Sequence, residues 1–582
     1  MSKVSPPPAP GTAAGFDPGE VFAQLHRAGQ AWFDQLANVP GGGPAAGGLE
    51  AWWRQGAELS LQPLKWWADW AQALSGGVPA AGAEGAGREA PKQDKRFDAP
   101  EWKRYPLFDY IRKSYQMTSK ALLEAVEGAN LDPATKKQMV FLARQFVDAA
   151  SPANYALTNP EVLQLAIQTR GENFRQGLAN LAADLKRGHI AQSDETAFAV
   201  GENVANTPGG VVLQNDVIQL LQYSPTTPTV HAAPILIVSS IVNKYYLMDL
   251  SEDMSLVRYL VGQGFTVFIT SYRNMGAEQG HLTWDDYVQQ GVLDPIEAVR
   301  QITGQARIHT VGYCTGGALL GCGLSVLAVR GEEPALSMTL LMSLYDASDP
   351  GEIGVYLDRG AIEMRDRLTG SSGILSGKDL TRTFSSLRAN DMVWGFVVNN
   401  YLKGKTPDAF NLFYWNTDDV NVPWPMFSYY LRECYLDNKL IVPGAMTVLG
   451  TPVDLRRIRI PSYVFAAMED HLVPWKTAHA SGRHLGGEVS FVLGGGGHIT
   501  GPINPVSKNK RNYWVAGRYE AQPETWLASA KPVAGSWWPH WSEWLLGHDG
   551  GRSVRARKAL GSRRHPVIEA APGRFARMRT KA

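Results

Sequence analysis

One short pattern, G-x-C-x-G, limits what this chain can fold into more than any other stretch. Gly312, Cys314 and Gly316 stand between a strand-like run at 308–310 and an apolar run at 318–324. The pattern is typical of a nucleophile elbow, a strand-to-helix turn so sharp that neighbouring backbone segments leave no room for side chains. The positive end of the following helix favours a thiolate on the cysteine. A glycine-rich turn beside a buried cysteine is the alternative interpretation.

Strand-like and helical runs alternate from residue 211 onward. A β-hairpin is predicted from 211–214 and 217–223, with a turn at Asn215 and Asp216. Further strands are predicted at 235–238, 265–270, 308–312, 338–344, 463–467 and 489–493, and helices at 285–303 and after Cys314. This alternation indicates a mostly parallel sheet with helices on both faces. Ligands of such sheets bind at the carboxyl ends of the strands.

A thiol nucleophile needs a base, and the base needs a group that orients it. Asp470 and His498 follow the last two predicted strands. In α/β-hydrolases the order along the chain is nucleophile, acid and histidine, each on a loop after a strand. The sequence therefore predicts an α/β-hydrolase fold with Cys314, Asp470 and His498 as its triad. The alternatives are that Asp470 caps the helix near Trp475 and that His498 caps a glycine-rich turn.

A cysteine in place of serine changes the expected chemistry. A thiolate that attacks a thioester exchanges one thioester for another, so the acyl group keeps its activation for transfer to an alcohol. This favours acyl transfer from a coenzyme A thioester over hydrolysis, provided that water is excluded. Backbone N–H groups of Thr315 and of the loop after the strand at 235–238 would form the oxyanion hole.

The first 206 residues divide into two regions. Residues 1–93 are predicted to be flexible, because glycine, alanine and proline dominate 41–44 and 76–92. Between these stretches lies a tryptophan-rich amphipathic segment, which either docks on an apolar surface or packs back on the main body. Residues 94–206 have helical periodicity, and Asn159 before a proline marks a helix start. We expect this second region to be a structural or interaction domain.

Composition excludes several classes of function. The formal net charge of +1 argues against a global attraction to nucleic acid, and the arginines after residue 551 are expected to form a solvated face. Three cysteines in 582 residues fit a reducing cytoplasm. The longest apolar run, 318–329, is too short to span a bilayer, so an integral membrane protein is not expected. His471, His479 and His484 have no cysteine or carboxylate at a usual ligand spacing, so no metal site is expected.

From residue 94 onward the chain resembles the class I polyhydroxyalkanoate synthases, also called poly(3-hydroxybutyrate) polymerases. The resemblance is carried by segments at 151–155 (SPANY), 193–198 (SDETAF), 243–250 (NKYYLMDL), 271–274 (SYRN), 283–287 (TWDDY), 414–416 (YWN), 421–423 (NVP), 535–539 (GSWWP) and 571–575 (APGRF). It implies an α/β-hydrolase-like catalytic domain at 207–582 with an inserted cap at about 350–452, preceded by the helical domain at 94–206. The cap would open in a homodimer to admit substrate.

The resemblance also implies an activity and roles for individual residues. The chain would polymerise (R)-3-hydroxyacyl-CoA, with 3-hydroxybutyryl-CoA as the expected substrate, releasing coenzyme A and using no cofactor. Cys314 would carry the growing polyester, His498 would be its base, and Asp470 would assist His498 or activate the incoming 3-hydroxyl. Ile241 and Thr315 match the backbone donors of the oxyanion hole, and His471 and Asp249 match positions near the site. Such a protein would be cytoplasmic, at the surface of polyester granules.

The chain departs from the family pattern near the oxyanion hole. Ser239 and Ser240 stand where the family has prolines, and Thr315 stands where an aliphatic residue follows the cysteine; Ala318 and Tyr272 are further departures. None of these changes removes a catalytic group, so the substrate range is the property they would alter. Two other classes of function remain open: a thioesterase or polyester depolymerase of the same fold, and a non-catalytic granule-coat protein.

Overall fold

The computed structural model describes residues 94–519 and 522–579. The predicted flexible region at 1–93, with its tryptophan-rich segment, lies outside the described residues.

The helical region precedes the sheet. Its helices are α1 (Glu101–Arg104), α2 (Pro106–Gly128), α3 (Pro133–Ala149), α4 (Pro160–Thr169) and α5 (Glu172–Arg187). A small core of aromatic and aliphatic side chains joins α1, α2 and α3, and the Tyr115 hydroxyl donates to the Val147 carbonyl at 2.9 Å. As predicted, α4 begins after Asn159, whose side chain accepts hydrogen bonds from two backbone N–H groups of the first turn.

The main sheet has eleven strands within the described residues. In spatial order they are β15 (Lys531–Ala534), β14 (Asn512–Val515), β13 (Val489–Gly494), β12 (Ser462–Ala467), β7 (Ala335–Leu341), β6 (Ile308–Tyr313), β4 (Ile235–Val238), β5 (Val267–Tyr272), β2 (Ile218–Tyr223), β1 (Gly209–Gln214) and β17 (Glu569–Ala570). The six strands from β13 to β5 are parallel, and the strands at both edges are antiparallel. The predicted parallel centre and the β1–β2 hairpin are therefore present.

Alternate residues of the central strands face opposite cores. In β4, Leu236 and Val238 belong to one core, whereas Ile235 and Ile237 belong to the other. Because all four side chains are fully buried, the sheet is covered on both faces, as expected for parallel strands joined by helices.

The helices that follow the β1–β2 hairpin either cover the two faces of the sheet or lie between β7 and β12. They are α6 (Leu256–Gly262), α7 (Trp284–Val288), α8 (Asp294–Thr303), α9 (Thr315–Val329), α10 (Arg359–Thr369), α11 (Gly377–Leu387), α12 (Asn411–Asn416), α13 (Trp424–Tyr429), α14 (Trp475–Gly482), α15 (Pro523–Ser529), α16 (Trp538–Asp549) and α17 (Gly573–Arg577). π-Helical segments occur at Gln289–Leu293, Asn390–Trp394, Val397–Leu402 and Tyr430–Leu436.

The segment between β7 and β12 forms an insert in the sheet, over the stretch where a cap is predicted. It contains α10 to α13 and the two-stranded pairs β8 (Ile374–Leu375) with β9 (Val422–Pro423) and β10 (Thr447–Val448) with β11 (Thr451–Pro452). The helical region packs on this insert, and the Asn173 side chain donates to the Leu402 carbonyl at 2.7 Å. A separate pair joins β3 (Thr229–His231) with β16 (Ser553–Arg555).

Two predictions about individual elements are corrected. The helix predicted at 285–303 is divided, because the π-helical turn at Gln289–Leu293 separates α7 from α8. The sheet also continues past the last predicted strand, at 489–493, through β14 and β15, and β17 extends its other edge. These three strands are short and pair in antiparallel fashion, and they lack a strong hydrophobic period.

Candidate active site

The nucleophile elbow lies between β6 and α9. Cys314 has φ 52° and ψ −124°, a strained conformation for a residue with a side chain. Its N–H donates to the Leu341 carbonyl and its carbonyl accepts from Gly317 N–H, both at 2.9 Å. The Ser343 hydroxyl also donates to that carbonyl, at 2.6 Å. These bonds hold the cysteine in its turn, at the carboxyl end of the central strand.

The glycines of the elbow are required by close packing. A Cβ atom at Gly316 would overlap the carbonyl oxygens of Val238 and Ser239, at the end of β4. A Cβ at Gly317 would overlap the Ser343 side chain. The start of α9 therefore lies directly against the loop that follows β4, which is the loop expected to supply an oxyanion donor.

Asp470 and His498 follow β12 and β13, two parallel strands that end at the same edge of the sheet. Nδ1 of His498 lies 2.8 Å from Oδ2 of Asp470. The His498 side chain is 8% exposed and the Asp470 side chain 0%, so this pair is shielded from water. The structure thus brings together the acid and the histidine that the chain order predicts.

Electrostatics join Cys314 to this pair. Burial by itself lowers the pKa of His498, but the charge of Asp470, then that of Cys314, and hydrogen bonds to both side chains raise the pKa well above its ordinary value. The raised pKa favours the protonated form of His498, which lies beside Cys314.

The second oxygen of Asp470 has a structural task. Oδ1 accepts hydrogen bonds from the N–H groups of Leu472 and Val473, at 2.8 and 2.9 Å. Asp470 thus caps the turn after β12 while its other oxygen contacts His498. It does not cap the helix near Trp475, contrary to the alternative interpretation, because that helix begins after Pro474 and has no side-chain cap. The hydrogen bonds of the turn fix the position of the carboxylate beside His498.

The two predicted oxyanion-hole residues lie side by side. Ile241 N–H donates to Oγ1 of Thr315 at 2.9 Å, and Ser240 Oγ lies 3.2 Å from the same hydroxyl. All three residues are buried. In this arrangement the Ile241 N–H is already engaged by a side chain of the protein.

His471 and Asp249 have different surroundings. The His471 carbonyl accepts from Glu352 N–H at 2.8 Å, which ties the loop after Asp470 to the beginning of the insert. Burial first, and then the charge of Arg388, lower the pKa of His471 to about 4, so it is neutral at neutral pH. Oδ1 of Asp249 accepts from the hydroxyls of Thr207 and Ser255. These contacts give Asp249 a role in joining the backbone before β1 to the segment before α6.

Sequence reasoning missed two tyrosines of the insert. Burial, and then the charges of Tyr435 and Cys314, raise the pKa of Tyr430, so this side chain of the insert interacts electrostatically with the nucleophile. The Tyr430 hydroxyl donates to the Tyr435 hydroxyl at 3.5 Å. Ser343 was also missed, although its position just after β7 is the strand-end position that had identified Asp470 and His498.

Among residues 94–519 and 522–579, no group of three or more His, Cys, Asp or Glu side chains is arranged to hold a metal ion. Cys314 is partly exposed, whereas Cys322 and Cys434 are free thiols in the interior. No helix in the part of the chain that the structure describes has the length and apolar character needed to cross a membrane.

Comparison with known proteins gives two matches to family models. Residues 93–260 match the model described as the N-terminus of poly-beta-hydroxybutyrate polymerase (PhaC). Residues 234–505 match the model of the alpha/beta hydrolase fold. The second match contains the elbow, the acid and the histidine described above.

Curated proteins with similar sequences cover most of the chain. The chain is 46% identical over 499 residues to the poly(3-hydroxyalkanoate) polymerase subunit PhaC of Cupriavidus necator, covering 85% of each protein. It is 39% identical over 493 residues to the subunit of the same name from Rhizobium meliloti, covering 84% of this chain and 80% of that one. It is 33% identical to poly(3-hydroxyalkanoate) polymerase 1 of Ectopseudomonas oleovorans, covering 83% of this chain and 86% of the relative.

Proposed function

The chain belongs to the poly(3-hydroxyalkanoate) polymerase family, and from this premise we propose that it polymerises (R)-3-hydroxyacyl-CoA through an acyl thioester on Cys314. It is an acyltransferase with the α/β-hydrolase fold, and its relatives assign it to polyhydroxyalkanoate synthesis. We propose the identity of the substrate, the attachment of the acyl group to Cys314 and the roles of the individual residues.

One observation supports the mechanism most directly: a cysteine at a strained elbow stands beside a histidine that is hydrogen-bonded to a buried aspartate. His498 would hold the thiol proton while the sulfur of Cys314 attacks the thioester carbonyl. The carbonyl then reforms, coenzyme A leaves as its thiol with that proton, and the acyl group remains on sulfur. The 3-hydroxyl of a second 3-hydroxyacyl-CoA then attacks the Cys314 thioester: His498 takes the hydroxyl proton, the acyl C–S bond breaks, and the new ester bond extends the chain. The extended chain, now a coenzyme A thioester, returns to Cys314 by the first reaction.

Asp470 would orient His498 in both half-reactions. Each of its oxygens has hydrogen-bond partners within the protein, Oδ2 with His498 and Oδ1 with two backbone N–H groups. A carboxylate held in this way is better suited to fixing an imidazole than to reaching an incoming hydroxyl. We therefore assign activation of the 3-hydroxyl to His498.

The cap and the neighbouring groups would keep water from the acyl-enzyme. Tyr430, from the insert, is 6% exposed, and the charge of Cys314 helps to raise its pKa. Exclusion of water favours transfer to an alcohol over hydrolysis. The expected substrate is 3-hydroxybutyryl-CoA, with no cofactor, and the protein would work as a homodimer at the granule surface in the cytoplasm.

The test uses purified full-length protein and 3-hydroxybutyryl-CoA. Free coenzyme A is followed with a thiol reagent, and insoluble polymer is collected and hydrolysed for analysis. We expect coenzyme A release with polymer, both lost in Cys314→Ala. Cys322→Ala is the matched control, because this second thiol lies on the same helix but is fully buried, and its burial raises its pKa to about 12.

Two outcomes would contradict the proposal. Release of coenzyme A with only free hydroxy acid would identify a thioesterase. Normal polymer formation by purified Cys314→Ala would exclude Cys314 as the covalent carrier.

A further inference from the structure

The hydrogen bond between Ile241 and Thr315 connects two parts of the site that approach from different directions. Ile241 belongs to the loop after β4, and Thr315 is the first residue of α9. The Ile241 N–H donates to Thr315 Oγ1 at 2.9 Å, within the normal range for such a bond. This bond uses the hydroxyl of a side chain, whereas the expected contribution of Thr315 to the oxyanion hole is its backbone N–H.

Close packing holds Ile241 and Thr315 next to each other. Ile241 is 1% exposed and Thr315 7% exposed. A Cβ at Gly316 would overlap the backbone at the end of β4, so α9 and the loop have no space between them. The hydroxyl of Thr315 therefore contacts the loop directly.

A backbone N–H carries a single hydrogen. When that hydrogen points at the Thr315 hydroxyl, it is not available in good geometry for a second acceptor. An oxyanion hole accelerates a reaction because its donors are already free and aimed at the oxygen that gains charge. An engaged donor must first be released, which adds to the barrier.

We propose that the Thr315 hydroxyl is an internal occupant of the oxyanion hole, and that the thioester oxygen must displace it from the Ile241 N–H. This inference rests on the proposed function of Ile241 as an oxyanion donor. Displacement requires rotation about χ1 of Thr315, and threonine in helices populates two χ1 rotamers. Ser240 Oγ, 3.2 Å from the hydroxyl, provides an alternative hydrogen-bond partner.

The proposal makes Thr315 a positioning residue that restrains the rate of acylation. Its hydroxyl stabilises the resting enzyme and not the transition state, so its removal should increase the rate. The loss of one neutral hydrogen bond from the resting state corresponds to an acceleration of about three- to tenfold. Loss of the Thr315 hydroxyl should not change the rate of a reaction at the Cys314 sulfur that forms no oxyanion.

Two probes separate these reactions. 4-Nitrophenyl acetate acylates Cys314: the sulfur adds to the carbonyl, an oxyanion forms, and 4-nitrophenolate leaves. Iodoacetamide alkylates the same sulfur by displacing iodide, without an oxyanion. The ratio of the acylation rate to the alkylation rate, measured on full-length protein, therefore reports the oxyanion hole independently of the reactivity of the thiolate.

Thr315→Val has nearly the same shape and no hydroxyl, and we expect it to raise this ratio about three- to tenfold. Thr315→Ser keeps a hydroxyl and should restore the low ratio of the native protein. If Thr315→Val loses alkylation as well, which would mean a disrupted elbow, Thr315→Ala provides the same comparison with a smaller side chain.

A ratio that is unchanged in the hydroxyl-free variant would overturn the proposal, since the donor would then not be restrained. A lowered ratio would also overturn it, because the hydroxyl would then be a donor needed in the transition state. Neither probe is a coenzyme A thioester. A raised ratio in a protein that makes no polymer would therefore contradict the proposed function and leave this inference standing.

Discussion

Oδ2 of Asp470 lies 2.8 Å from Nδ1 of His498 in a part of the interior where their side chains are 0% and 8% exposed. A buried carboxylate at this distance stabilises the cationic imidazole far more than a solvated one would. Because His498 is also coupled to Cys314, the aspartate influences the nucleophile without contacting the substrate.

Replacement of Asp470 by asparagine tests this relationship. Asp470→Asn keeps the size of the side chain and removes its charge. Burial lowers the pKa of His498 and the charge of Asp470 raises it, so the pKa should fall in the variant. We expect the rate of coenzyme A release to drop by about 10²- to 10⁴-fold. Titration of the His498 ring by NMR measures the shift, and an unchanged His498 pKa would contradict the assigned coupling.

The sign of the pH dependence follows from the same pair. A histidine whose folded pKa is raised contributes stability that is complete below its unfolded pKa of about 6.5 and is lost as pH rises through the folded value. In Asp470→Asn this contribution should be smaller. The difference between the unfolding free energies of the native protein and the variant should therefore decrease with rising pH. A difference that stays constant across this range would contradict the prediction.

The acid and the histidine could be predicted from the sequence because each follows a strand, and the strands have a clear hydrophobic pattern. The hydrogen bond from the Ile241 N–H to the Thr315 hydroxyl could not be predicted from the sequence, since it depends on how closely α9 approaches the loop after β4. The edge strand β15 was missed because it is short and contains Pro532, which is tolerated only where a strand has a free edge.

Substitution of Gly316 tests the close approach at the elbow. Gly316→Ala places a Cβ against the carbonyl oxygens of Val238 and Ser239, and backbone cannot move aside as a flexible side chain can. We expect the free energy of unfolding to fall by about 2–4 kcal/mol, with loss of activity. Denaturant unfolding measures the change.

Gly547→Ala is the matched control, because Gly547 also lies within a helix but a Cβ there meets no atom within 4 Å. This substitution should raise the free energy of unfolding by about 0.5–1 kcal/mol, since alanine loses less backbone entropy in a helix. Equal effects of the two substitutions would show that the elbow tolerates a side chain.

Lys244 links the loop after Ile241 to the carboxyl-terminal helix α17. Its ammonium group donates to the carbonyls of Phe575 and Met578, at 2.9 and 2.7 Å. Burial is the main cause that lowers the pKa of Lys244 to about 8. Between this value and the unfolded pKa of about 10.4, the unfolded chain binds more protons, so this residue makes stability rise with pH.

Lys244→Met removes that dependence. The slope of the unfolding free energy between about pH 8 and 10 should decrease by up to about 1.4 kcal/mol per pH unit relative to the native protein. Thermal or denaturant unfolding at several pH values measures the slope. Lys120→Met, at a side chain that is 73% exposed, should keep the native slope. A native slope in Lys244→Met would mean that Lys244 does not titrate in this range.

The covalent carrier is the central claim, and mass spectrometry of rapidly quenched protein tests it most directly. After mixing with 3-hydroxybutyryl-CoA and quenching in acid, which preserves thioesters, the protein is digested and its cysteine peptides are analysed. The account predicts hydroxyacyl groups on the peptide that contains Cys314, and none on those that contain Cys322 or Cys434. Continued release of coenzyme A with an unmodified Cys314 peptide at every quench time would contradict the account.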